Sequence, residues 1–117
     1  MRLSECCRRV QGRWVVEPQE DPTIQAVVVS DLMSDVLVHD GDDGLLVTSL
    51  ATDQVIRTAD IVDVRAVILT NNKQPEPSMR TLAERQGIPL CTTPLSTYDT
   101  CIALAGCSEK RVSGEPV

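Results

Sequence analysis

Phenylalanine is absent from this 117-residue chain, and Trp14 and Tyr98 are its only aromatic residues. A core without rings must be packed from Val, Ile, Leu, Ala and Met. Sequence-tolerant binding of single-stranded nucleic acid rests on aromatic stacking platforms, which two separated rings do not make. Positive charge is also scarce. Eleven basic against 17 acidic side chains leave a net charge of −6, which disfavours phosphate backbones and anionic membrane surfaces. No apolar run approaches the roughly 20 residues that span a bilayer, and Met1 to Val10 holds no apolar stretch of the kind a secretory signal needs. The cytoplasm is therefore the expected compartment, with neither nucleic acid nor membrane as partner.

The usual catalytic and metal-binding patterns are missing too. His39 is the only histidine, so zinc ligation and Ser-His-Asp chemistry both lack partners. The five cysteines, Cys6, Cys7, Cys91, Cys101 and Cys107, form no C-x-x-C pair and no disulfide framework, which fits mostly inert thiols in a reducing compartment. Cys91 precedes a helix as in thiol-phosphatase loops, but the arginine of such a loop would fall on Thr97. The acidic loop Asp40 to Gly44 fails as a calcium hand. Started at Asp40, it puts Leu45 at the glycine position and Ala51 at the bidentate glutamate position. Neither a phosphate-binding P-loop nor a G-x-G-x-x-G run occurs. No catalytic residue, metal site or cofactor is expected.

What is present is aliphatic alternation. Apolar spacing predicts a helix over 3–11 ended by Gly12, a brief strand over 14–16 and a polar turn over 17–22. A β-branched strand follows over 24–29, then a short helix over 30–37. Beyond the acidic loop the pattern turns regular: strands over 45–47, 66–69 and 89–91 alternate with helices over 52–63, 78–86 and 96–105. Gly87 stands at a C-cap position, and Ser96 to Asp99 has capping-box spacing. Continuous apolar strands joined by helical crossovers predict an α/β fold of three layers, α/β/α, around a mainly parallel sheet. The first two strands are free to join it in either sense. Residues 1–106 read as one domain and 107–117 as a flexible tail.

In such sheets ligands gather beyond the C-terminal strand ends. Three successive strands here end in hydroxyl residues: Thr48-Ser49, Thr70 and Thr92-Thr93. Asn71 and Asn72 tolerate the left-handed backbone of tight turns, and Lys73 is the one cation on that rim. Thr48, Ser49, Asp53, Thr70, Asn71, Asn72 and Thr97 are accordingly the candidate residues for a small anionic or nucleotide ligand. Helix capping and turn closure are the commoner use of these residue types. Asp31, Ser34 and Asp35 form a second polar cluster, with Asp31 as helix N-cap and Asp35 complementing the first turn as its plainer reading.

The segment Val27 to Leu37, with its Val-Ser-Asp-Leu-Met-Ser-Asp-Val series, resembles a stretch of stand-alone DRTGG-domain proteins. Ala66 to Thr70, Ala83 to Leu90 and Ser96 to Thr100 follow the same family's order, so the resemblance runs from about Leu3 to Ala105. It implies a fold similar to the N-terminal domain of HPr kinase/phosphorylase, without a kinase domain. It also implies a non-catalytic regulatory, ligand-binding or dimer-forming module of the type associated with iron-hydrogenase subunits, with a homodimer and a protein partner in redox metabolism as expected assemblies. The chain departs from the family's naming pattern: Ser49 to Asp53 stands where G-D-R would follow the strand, and Thr70-Asn71-Asn72 stands in place of T-G-G. Asp53 and Thr70 are the positions carried over. Five cysteines keep an iron–sulfur or thiol-redox accessory role as one alternative. The threonine-rich rim keeps a small enzyme acting on a phosphorylated metabolite as another.

Overall fold

The computed structural model describes residues 1–39 and 43–106. The acidic loop at 40–42, the tail at 107–117 and Cys107 lie outside the described residues. In chain order the elements are α1 (Leu3–Arg9), β1 (Arg13–Val16), β2 (Ala26–Val29), α2 (Met33–Val36), β3 (Gly44–Thr48), α3 (Asp53–Val62), β4 (Ala66–Leu69), α4 (Pro77–Gln86), β5 (Leu90–Thr92) and α5 (Thr97–Leu104). They build a five-stranded sheet ordered β1-β5-β4-β3-β2. Strands β2, β3, β4 and β5 run parallel, while β1 pairs antiparallel with β5 at the far edge. The two early strands thus close opposite edges in opposite senses.

Alternation along each strand divides the core. Leu46, Val67, Leu69 and Leu90 face a cluster with Met33, Val36, Val55, Ile56, Ala59, Met79 and Ala83, from α2, α3 and α4. Leu45, Val47, Ala66, Ile68 and Cys91 face a second cluster with Leu3, Cys6, Cys7 and Val10, from α1 and the turn after it, and Leu104 of α5. Successive crossovers that step one way along a parallel sheet put their helices on one face, which is why α2, α3 and α4 share a side. The three layers follow.

Two helix ends repay comparison. Gly87 ends α4 with φ 68, and Ile88 N–H closes back on the Ala83 carbonyl at 3.0 Å, the left-handed cap that favours glycine. Gly12 was expected to do the same for α1, but Gln11 takes the left-handed conformation there, with φ 58. Gly12 serves space instead: a Cβ on it would lie 2.3 Å from Cys91 Sγ and 2.8 Å from Cys7 Sγ.

Leu46 is fully buried in the middle of the sheet, whereas Val38 is 80 % exposed. Leu46→Ala should lower the unfolding free energy by about 2–5 kcal/mol, and Val38→Ala should stay within about 0.5 kcal/mol of the parent. Urea titrations followed by circular dichroism test this, and equal losses would contradict the burial pattern.

Candidate functional site

The rim is a consequence of strand register. Val29 stands opposite Val47 in the β2–β3 pair, and Ser30 N–H continues the ladder to the Val47 carbonyl at 3.1 Å. One residue further on, Asp31 meets Ser49. Its Oδ1 accepts the Ser49 N–H at 2.7 Å and the Thr48 hydroxyl at 2.9 Å, and its Oδ2 accepts the Ser49 hydroxyl at 2.6 Å. The sequence placed Asp31 as a helix N-cap, and this needs correction. Leu32 is the N-cap of α2 and no side chain caps it, because the parallel neighbour offers the carboxylate three donors at once. Ser34 and Asp35 remain exposed on α2, so the polar patch divides and only Asp31 joins the rim.

The chain of contacts continues over β4. Thr70 N–H donates to the Thr48 carbonyl at 2.9 Å, and the Thr70 and Thr97 hydroxyls meet at 2.7 Å. Asn71 Nδ2 reaches both hydroxyls, at 3.2 and 3.3 Å. Asn71 and Asn72 take φ values of 62 and 55, and Lys73 N–H closes the turn on the Thr70 carbonyl at 3.2 Å. Two consecutive left-handed residues are what glycines usually supply in such a turn. Asn71 and Asn72 therefore hold a backbone shape that glycine favours. Their own amides are engaged, Asn71 N–H on the Leu95 carbonyl at 2.7 Å and Asn72 N–H on the Thr93 carbonyl at 2.9 Å.

Thr48, Thr70 and Thr93 are buried, at 0, 0 and 1 % exposure, so they brace the rim and do not present themselves to solvent. Thr93 makes the pin at the β5 end: its hydroxyl donates to the Val10 carbonyl and accepts the Leu95 N–H. Ser49 and Thr97 are half-buried, and Asn71, Asn72, Lys73 and Tyr98 are exposed. Tyr98 is not among the candidate residues that the sequence offers, although its neighbour Thr97 is. The cap forms, with Asp99 N–H on Ser96 Oγ at 3.0 Å, and it also holds the exposed Tyr98 ring on the first turn of α5. Asp53 stands apart from this network. It pairs with Arg57 at 2.9 Å and lines a shallow cleft between α3 and α4 with Ser78, Thr81 and Arg85.

A larger open cavity of about 350 Å³ lies at the opposite end of the sheet, where Glu17, Glu20, Asp60, Asp63 and Arg65 meet Gly87 and Pro89. Among the described residues no three His, Cys, Asp or Glu side chains converge as a metal site, and no helix is long and apolar enough to cross a membrane.

Electrostatics single out Asp31. Burial works to raise its carboxyl, but the Ser49 N–H, the Ser49 hydroxyl and the Thr48 hydroxyl outweigh that and hold it below its ordinary value. The folded value thus lies under the unfolded one of about 3.9. Its stabilising share is present in full above that pH and is lost as pH falls through the folded value. Asp31→Asn should destabilise the protein by about 1–2 kcal/mol at pH 7 and lose less further stability than the parent between neutral pH and about pH 3. Urea midpoints at both pH values test it, and identical acid losses in parent and variant would remove Asp31 from this role.

The DRTGG domain family matches residues 5–107. In fold the chain is similar to a crystal structure of the CBS and DRTGG domains of the regulatory region of Clostridium perfringens pyrophosphatase, complexed with the activator diadenosine tetraphosphate. The TM-score is 0.72 at 14 % identity, covering 91 % of this chain and 46 % of that one. The likeness therefore spans somewhat under half of that regulatory region. With nine-tenths of its length inside the family match, and with the strand-end threonine and left-handed turn in place, the chain belongs to the DRTGG domain family.

Proposed function

We propose that this protein is a regulatory module that binds a small anionic ligand, a nucleotide in the first instance, and acts through recognition without catalysis. The observation that carries the reading is the meeting of Thr70, Asn71 and Thr97 where β4 ends and α5 begins. Exposed groups of three kinds stand on the turn and on the first turn of α5: the Asn72 side-chain amide, the Lys73 ammonium and the Tyr98 ring. The first N–H groups of α5 add a partial positive charge, since the opening turn of a helix lacks internal acceptors. A phosphate fits the Asn72 side-chain amide and the cation, and a base fits the ring. The inner hydroxyls and the Asp31 carboxylate are already bound to one another, which suits a rigid platform better than a nucleophile and its base. The pyrophosphatase regulatory region that shares this fold is described as bound to a dinucleotide activator, and that supports the ligand class.

We extend the reading to assembly. Leu32, Leu37 and Val38 around α2 and Ile61 on α3 are 48–80 % exposed, and α2 packs on α3. This apolar strip suits a homodimer contact. The setting inferred from stand-alone family members is an accessory role beside a hydrogenase or another enzyme of energy metabolism, with a protein of redox metabolism as partner.

Thermal-shift titration with ATP and diadenosine tetraphosphate tests the ligand. Saturation to 100 times the dissociation constant should add about 2.7 kcal/mol of stability. Lys73→Ala and Tyr98→Ala should each weaken binding about five- to tenfold while leaving the unliganded Tm in place. Absence of any shift at about 1 mM nucleotide would remove the nucleotide, and sedimentation as a strict monomer would remove the dimer.

A further inference from the structure

A pair of sulfurs between α1 and β5 plays no part in that reading. Cys7 Sγ and Cys91 Sγ lie 3.2 Å apart, brought together across 84 positions of chain by the packing of α1 on β5. Both side chains are buried, at 6 and 0 % exposure. The contact has its own built space. Gly12 N–H is held on the Cys7 carbonyl at 2.8 Å, and its missing side chain leaves room that any Cβ would take from the two sulfurs. Its φ is not left-handed, so backbone freedom does not explain glycine here and the sulfur pair does.

From this geometry we infer that Cys7 and Cys91 are a reversible dithiol–disulfide site, which locks the α1 layer to the sheet when the protein meets a peroxide. The two thiols are unequal. The hydrogen bond between the two sulfurs, in which either can donate, lowers the Cys7 thiol against the opposing effect of burial. The same bond, with burial, pushes the Cys91 thiol up. Cys7 keeps 6 % exposure where Cys91 has none, so Cys7 is the sulfur that meets peroxide and Cys91 the thiol that resolves. Cys7 sulfur takes one oxygen of hydrogen peroxide, the O–O bond breaks, and hydroxide leaves to become water. Cys91 then loses its proton and attacks the Cys7 sulfenic sulfur. The S–O bond breaks, and the hydroxyl departs with that proton as a second water. Two thiols lose two electrons and one peroxide gains them. A dithiol reductant reverses the step by thiol–disulfide exchange.

The full-length reduced protein is treated with hydrogen peroxide, denatured in alkylating reagent and mapped by peptide mass. The expected product is a single intramolecular link between the Cys7 and Cys91 peptides, with two of the five thiols lost to titration and regained with dithiothreitol. Trp14 stands opposite Cys91 in the β1–β5 register and packs on the same cluster. Its fluorescence should fall on oxidation, since a neighbouring disulfide quenches indole, and recover on reduction. Closing so long a loop should raise Tm on the order of 10 °C. Cys101→Ser should leave the link intact, and Gly12→Ala should slow its formation at least tenfold. Links that scatter among the other cysteines or join two chains would overturn the inference. So would native protein in which Cys7 and Cys91 stay reduced, or over-oxidise singly, under excess peroxide. The parent protein alone decides these outcomes, whether or not the variants fold.

Discussion

Everything in this fold depends on burying a parallel sheet on both faces. β3 and β4 are buried at every position, and burying polar backbone without partners is costly. The ladder handles that along the strands but stops where they stop. At the C-terminal ends of β2, β3 and β4 the unspent hydrogen-bonding capacity falls to side chains, and Asp31, Thr48, Ser49, Thr70, Asn71 and Thr97 absorb it. The rim is therefore a structural necessity in the first place. Its inner members brace the strand ends and its outer members, on the Asn71-Asn72 turn and the first turn of α5, face the solvent.

That division gives the strand-end threonine a structural task. Thr70 is fully buried and shares its hydroxyl with Thr97 and Asn71. That hydroxyl ties the end of β4 to the start of α5. The asparagines beside it hold the left-handed backbone that glycine favours, with φ 62 and 55. The exposed Asn72 side chain on that turn offers a donor that glycine does not have.

Aliphatic packing sets a second constraint. With no Phe and two aromatics, the layers interlock through small and branched side chains, and the α1–β5 junction closes around sulfur. Cys6, Cys7 and Cys91 belong to one buried cluster. Only Gly12 is small enough to pass beside two of them. The same junction holds the Thr93 hydroxyl on the Val10 carbonyl, so the layer that carries the thiols is pinned to the strand that leads into the rim loop.

The sequence by itself determined the element order from the regular half onward, the two-sided burial of the strands and the edge at which hydroxyl residues collect. All of these follow from local apolar periodicity and from turn-forming residue types. It also determined that Gly87 ends a helix, because a left-handed cap is a local preference. Tertiary structure alone decided the sense and edge of β1 and β2, since short strands carry no signal for their partners. It alone turned Asp31 from its own helix to Ser49, separated Asp53 from the rim and brought Cys7 to Cys91. Each of these is a contact between residues distant in the chain, set by strand register and layer packing, and local pattern has no term for either.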